Sequence, residues 1–253
     1  MKKWCASALL CAALLLGPSA QAAGSVLVDG APLENNASAQ VRNNTTYVSL
    51  RTVAQALRPT ATVVWENGQA IVRDSTLSLT ARPGSIYIAA NDRAIYLPDG
   101  VLLEDGCTLV PVRALASALG AQVDWDADTG TVYITSGAAA FAAYDSNSLY
   151  WLSRIISAES QGESLLGKIA VGNVVLNRVA SAEFPDSIYG VIFDDRWGGQ
   201  FEPVRNGSIY QEPTEESVLA AKLVLEGASV AGNSLYFLSP SLTSNHWIMN
   251  NRP

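Results

Sequence analysis

The stretch Tyr47-Val48-Ser49-Leu50-Arg51-Thr52-Val53-Ala54-Gln55-Ala56-Leu57 recurs in altered form as Leu109-Val110-Pro111-Val112-Arg113-Ala114-Leu115-Ala116-Ser117-Ala118-Leu119. Each copy opens with residues suited to an extended strand. Each then places apolar residues at three- and four-residue spacing, the pattern of one helix face. A Val–X–Trp strand follows in both copies (Val63 to Trp65, Val123 to Trp125), then a polar turn and another strand (Ala70 to Val72, Val132 to Ile134). A strand, short helix and β-hairpin used twice predict a repeat-containing, β-rich domain. The first hairpin turns at Glu66-Asn67-Gly68, and Asn-Gly supplies the positive φ angles of a tight turn. Arg51 and Arg113 hold equivalent places in the two copies. Their expected role is structural, pairing with backbone or a carboxylate near each helix start, with ligand contact as the alternative.

Outward from the repeat, Val26-Leu27-Val28 reads as a strand entering an Asp29-Gly30 turn, and Ile86 to Ile88 and Ala94 to Leu97 as further strands. The first residues read as an export signal: Lys2 and Lys3, an apolar run from Ala6 to Leu16, then Ala20-Gln21-Ala22 with small residues placed for cleavage. The run is short for a bilayer span and ends in Gly17-Pro18. No other segment looks transmembrane.

Removal of the signal leaves Cys107 as the one cysteine, so no internal disulfide and no cysteine-rich metal site is expected. The chain has 253 residues and a formal charge of −7; without Lys2 and Lys3, 14 basic against 23 acidic residues leave about −9. An acidic chain is a poor partner for nucleic acid, and any affinity for another anionic polymer must come from specific contacts.

Beyond Ser136-Gly137-Ala138-Ala139-Ala140-Phe141-Ala142-Ala143, a small-residue linker, the pattern becomes helical. Asp145 or Ser146 can cap a helix carrying Leu149, Leu152, Ile155 and Ile156 on one face and ending near Glu159. Gly162 breaks the chain. Glu163-Ser164 opens a second helix with Leu165, Ile169, Val174, Val175 and Val179. Phe184 to Tyr210 reads as loop and short helix. A third helix spans Thr214 to Leu225, with Glu215 and Glu216 in its first turn. Leu235 to Leu238 reads as a short strand.

The residue inventory narrows the chemistry. His246 is the one histidine in the chain, whereas a catalytic zinc usually takes two or more. Cys107 lies in the other half of the chain from any histidine partner. No nucleophile elbow, Walker loop or dinucleotide loop is present. Carboxylates remain, and they suit glycosidic bond cleavage. The candidate is Glu159 in Ser157-Ala158-Glu159-Ser160-Gln161-Gly162-Glu163. The negative end of a helix dipole and partial burial would both hold its carboxyl protonated, as a general acid requires. Taken alone, the same local pattern also fits a solvated glutamate at a helix end.

Two resemblances bear on this. The repeat half, with its Val-Pro-Val-Arg core, resembles the domain family named for the N-terminus of copper amine oxidases. That implies a binding or spacer domain over residues 24–136. It implies no copper, since this half has no histidine and a single cysteine. The second half resembles the SleB/CwlJ-type cell-wall hydrolase family of spore cortex-lytic enzymes. The resemblance rests on Ala158-Glu159 with Gly162-Glu163, Val174-Val175-Leu176-Asn177-Arg178-Val179, Phe184-Pro185, Gly190-Val191-Ile192, Gln200-Phe201, Pro203-Val204 and Leu235-Tyr236-Phe237. It implies a lysozyme-like fold and lytic transglycosylase chemistry, with one acid/base glutamate mapping onto Glu159.

The expectation is an α+β chain with a β-rich repeat domain followed by a mainly α lysozyme-like domain. A signal peptide would cover 1–22, the accessory domain 24–136, a linker 137–146 and the hydrolase domain 147–253. The family pattern continues past Trp247, so that last domain is expected to be truncated. The expected function is cleavage of the MurNAc–GlcNAc backbone of peptidoglycan by a secreted or wall-associated enzyme without metal or cofactor. Muramidase-type hydrolysis, amidase activity and non-catalytic wall binding are the alternatives. Hydrolysis would enlist Asp194, Asp195 or Glu202 as a second carboxylate. Glu163, Gln200, Phe201 and Tyr236 are the expected substrate contacts, with Trp197 a further groove ring. Glu163 serves equally as a helix cap. Arg178 is expected to brace the wall of the site. His246 and Trp247 are read as rim or packing residues.

Overall fold

The computed structural model describes residues 21–22, 25–33, 39–137 and 144–237. The expected signal peptide, Leu238 and the end of the chain with His246 and Trp247 lie outside the described residues, as does the side chain of Trp197.

The repeat builds the sheet-rich part. Strands Thr45–Ser49 and Cys107–Pro111 pair antiparallel, with Val48 opposite Val110. These are equivalent residues of the two copies, so a local two-fold axis passes between them. Each strand runs into a short helix, α1 (Leu50–Leu57) and α2 (Val112–Leu119). The Ser49 hydroxyl accepts from the Thr52 N–H and caps α1. Gly120 closes α2 at φ 73°, a left-handed position that glycine takes without a Cβ penalty. The first hairpin joins Thr62–Glu66 to Gln69–Arg73, with Asn67 and Gly68 at φ 51° and 74° as the Asn-Gly signal predicts. The second joins Ala121–Asp126 to Thr131–Ser136, and strand Val26–Val28 adds to it in parallel. The helix faces bury Leu50, Val53, Leu115 and Leu119 against Leu79, Ile88, Leu97 and Ile134. Arg51 and Arg113 are exposed, and no ion pair or hydrogen bond joins either to another described residue. The pairing expected of them is therefore not made. Cys107 is also exposed, at the edge of a strand whose burial begins at Leu109.

The second part is helical: α3 (Ser146–Glu159), α4 (Leu165–Ala180), α5 (Ile188–Ile192), α6 (Glu202–Asn206) and α7 (Glu215–Leu225). Asp145 and Thr214 cap as predicted, and Ser164 caps α4 in the place offered to Glu163. Asp145, Ser164 and Thr214 each accept from a backbone N–H in the first turn of α3, α4 and α7. Leu152, Ile155 and Ile156 of α3 pack with Ile169 and Val175 of α4 and Leu223 and Val224 of α7. Residues 235–237 are not a strand. Hydrogen bonds from α4 side chains hold this stretch in place of strand pairing.

The two parts touch. The hairpin of Tyr87–Ala90 and Arg93–Tyr96 belongs to the sheet-rich part, yet Ala94 is buried in the helical core. Ile86, Tyr87 and Tyr96 pack against the same core. Among the described residues no helix is long and apolar enough to cross a membrane.

Candidate active site

Glu159 is the last residue of α3 and is half-buried. Two main-chain features set it there. The helix stops because Ser160 leaves helical geometry, its N–H still bonded to Ile156. The loop 160–164 is then pinned by Lys168, a buried lysine of α4. Its Nζ donates to the Glu163 carbonyl at 2.5 Å and pairs with Glu216 of α7 at 2.9 Å. A lysine on an apolar helix face is the sequence signal for this anchor, but the pattern alone does not name its partners.

Burial pushes the Glu159 carboxyl above the ordinary glutamate value. The Arg178 guanidinium pulls it back, and the Glu202 carboxylate pushes it up further. Its position at the negative end of α3 disfavours the charged form as well. Among the described residues no ion pair or hydrogen bond engages its carboxyl. A proton on Glu159 is thus favoured but not locked by a partner.

Arg178, in the last turn of α4, is buried beside this carboxyl and touches the rings of Phe184, Phe201 and Tyr236. Its Nε donates to the Leu235 carbonyl at 2.8 Å, and Asn177 donates to the carbonyls of Gly232 and Ser234. The end of α4 therefore fixes the segment that carries Tyr236 beside Arg178.

The other candidates fall in different places. Tyr236 is exposed, with its ring beside Arg178. Gln200 is half-buried and lines a pocket of about 250 Å³ with Phe193, Asp195 and Arg205. Glu163 is exposed, and the hydroxyl of Ser164, not Glu163, caps α4. Phe201, expected on the groove wall, is instead buried in the helical core at 3% exposure, covering Arg178. There its ring faces the Arg178 guanidinium, to which the ring quadrupole is attracted.

The carboxylates that hydrolysis would need are mostly engaged. Arg196 binds both oxygens of Asp194 at 2.8 Å and holds that carboxyl below the usual range. Glu202 pairs with Arg205. Asp195 is exposed. No group of three or more His, Cys, Asp or Glu among the described residues is arranged to hold a metal ion.

Fold and site define a chain that joins a sheet-rich repeat module to a helical domain built round one half-buried glutamate. Residues 162–253 match the Cell Wall Hydrolase family, and residues 27–134 match the Copper amine oxidase N-terminal domain family. The chain thus carries a cell wall hydrolase domain at its C-terminal end, preceded by a copper amine oxidase N-terminal domain. The hydrolase match begins at Gly162, just past Glu159.

A spore cortex-lytic enzyme of Bacillus cereus is 38% identical over 105 residues, covering 42% of this chain and 39% of the relative. The spore cortex-lytic enzyme of Bacillus subtilis is 31% identical over 105 residues, covering 42% of this chain and 33% of that one. The chain spans about two fifths or less of the length of these relatives. Among solved structures, the catalytic domain of the germination-specific lytic transglycosylase SleB from Bacillus anthracis aligns at 36% identity. It covers 44% of this chain and 88% of that one, with a TM-score of 0.38.

Proposed function

We propose that the chain is exported and that its helical domain cleaves the bond between N-acetylmuramic acid and N-acetylglucosamine in peptidoglycan, with Glu159 as acid and then base. The observation that carries this is the state of Glu159: half-buried, raised in pKa by that burial, and free of ion pairs among the described residues. Membership of the C-terminal domain in the cell wall hydrolase family supports it, as do relatives named spore cortex-lytic enzymes.

In this reading Glu159 gives its proton to the glycosidic oxygen as the C1–O bond breaks. The 6-hydroxyl of the same muramic acid then attacks C1 and passes its proton to the Glu159 carboxylate. The product carries a 1,6-anhydro end, and Glu159 returns to its starting state. The nucleophile comes from the substrate, so no second carboxylate is required. The engagement of Asp194 by Arg196 and of Glu202 by Arg205 supports this over water-borne hydrolysis. Tyr236, Gln200 and Glu163 are the proposed sugar contacts. Residues 24–136 would form the accessory domain, 137–146 the linker and 147–253 the enzyme domain, with 1–22 as the export signal.

Digestion of purified peptidoglycan followed by mass spectrometry of the fragments tests the reading. Anhydromuropeptides that disappear with Glu159→Gln are the expected result. Reducing ends without anhydro products would mean muramidase-type hydrolysis, free peptides would mean an amidase, and intact glycan would mean a wall-binding protein.

A further inference from the structure

Arg178 is buried, at 5% exposure, yet it does not use its whole hydrogen-bonding fork among the described residues. The ring centroids of Phe184, Phe201 and Tyr236 lie 5.1, 5.2 and 5.3 Å from its Cζ. Nε is spent on the Leu235 carbonyl, while Nη1 is buried and has no hydrogen-bond partner among the described residues. A charged donor left unpaired in the interior is costly, and a group that only anchored the chain would have no reason to bear that cost.

The charged and titratable groups that act on Arg178 are Tyr236, Asp194 and Glu159, and those that act on Glu159 are Arg178 and Glu202. Asp194 is held by Arg196 and Glu202 by Arg205. Glu159 alone of these carboxylates has no such engagement among the described residues. A direct ion pair to Arg178 would ionise Glu159 permanently and remove the general acid. A cation nearby but unbonded leaves the proton in place and becomes useful once the proton has gone.

We propose that Arg178 is the positioning residue for Glu159: its buried charge and unspent Nη1 donor hold the carboxylate formed when Glu159 gives up its proton, while its bond to Leu235 fixes the segment carrying Tyr236. The inference rests on the acid/base reading of Glu159. It has Arg178 act through Glu159 and assigns it no contact with substrate. Its effect is felt in the second half of the cycle, where Glu159 must wait as an anion in a site that disfavours anions.

The test is kcat/KM against pH on purified peptidoglycan for the wild type, Arg178→Met and Arg178→Lys, with folding checked by circular dichroism. The limb at which activity falls as Glu159 ionises should move up by about one pH unit or more in Arg178→Met, because the cation that favours the carboxylate is gone. Arg178→Lys keeps the charge and loses the bond to Leu235. It should keep the wild-type limb at lower amplitude. Coincident limbs in wild type and folded Arg178→Met overturn the proposal, and so does an Arg178→Lys limb displaced like that of Arg178→Met. If Arg178→Met does not fold, Arg178→Lys decides: a limb at the wild-type pH supports the proposal and a displaced one overturns it. A wild type that leaves the glycan intact, or whose cleavage survives Glu159→Gln, overturns the reading of Glu159 itself and removes the cycle Arg178 would serve.

Discussion

Arg93 and Glu226 meet through two bonds of 2.6 Å, Nε to Oε1 and Nη2 to Oε2. Arg93 stands on a strand of the sheet-rich part, and Glu226 follows the last turn of α7. The same arginine donates to the Ser117 carbonyl and hydroxyl on α2. Tyr144 donates its hydroxyl to Glu226 and accepts from the Ala94 N–H. Burial pushes the Tyr144 hydroxyl up to about 12. Beside this polar knot Ala94 sits in the helical core. The accessory part is therefore fastened to the helical part by ionic and apolar contacts together.

Removing one partner strands the other, because each side chain is only 15% exposed. Arg93→Ala should lower stability by about 2–4 kcal/mol. Denaturant unfolding measures this, and a double-mutant cycle with Glu226→Gln should return a coupling above about 1 kcal/mol. Additive losses would show that the pair is incidental to docking.

Glu159 should cost stability at neutral pH. Its folded pKa is raised above the unfolded value, so its favourable contribution is fully present below the unfolded pKa and is lost as pH rises through the folded one. Glu159→Gln, which cannot ionise, should therefore melt higher than the wild type near pH 7. The difference should close below about pH 4, where both forms are neutral. A wild type that melts higher at neutral pH would mean that the carboxylate is stabilised in the fold.

What could be read beforehand was local. Asn67-Gly68 and the caps Asp145 and Thr214 depend on a few adjacent residues, and they stand where the pattern put them, while the cap of α4 falls on Ser164, one residue past Glu163. The repeat was legible too, but not its pairing of Val48 with Val110, because a pattern does not say which strands meet. The surroundings of Glu159 were the least legible. Arg178, Phe184, Phe201 and Tyr236 come from separated parts of the chain. The sequence shows aromatics there without showing that they enclose a cation. The docking of Ala94 into the helical core left no signal, since a buried alanine on a strand reads alike in either core.

Gly172 of α4 lies against Ile156 of α3 and Val224 of α7. An added Cβ would lie 2.9 Å from both Ile156 Cδ1 and Val224 Cγ2. Alanine normally favours a helix over glycine by about 1 kcal/mol. Here the overlap should outweigh that gain, so Gly172→Ala should destabilise by about 1–3 kcal/mol. A rise in melting temperature would show that the helices separate freely.

Asn173 and Asn177 lie one turn apart on α4 and both grip the chain beyond α7, but they should fail differently. Asn173 is buried; its amide donates to the Ala228 carbonyl at 2.6 Å and its oxygen accepts from the Val230 N–H at 2.8 Å. Asn173→Ala leaves both backbone groups with no partner from α4, and the loss should be about 2–3 kcal/mol in denaturant unfolding. Asn177 is half-buried and its bonds go to Gly232 and Ser234, the residues leading to Tyr236. Water can replace those bonds, so Asn177→Ala should cost about 1 kcal/mol or less. Its larger effect should fall on glycan cleavage, as a raised KM with the melting temperature nearly unchanged, because the segment carrying Tyr236 loses two of its anchors. If both variants lose stability equally and leave KM alone, the chain from 232 to 236 plays no part in holding substrate.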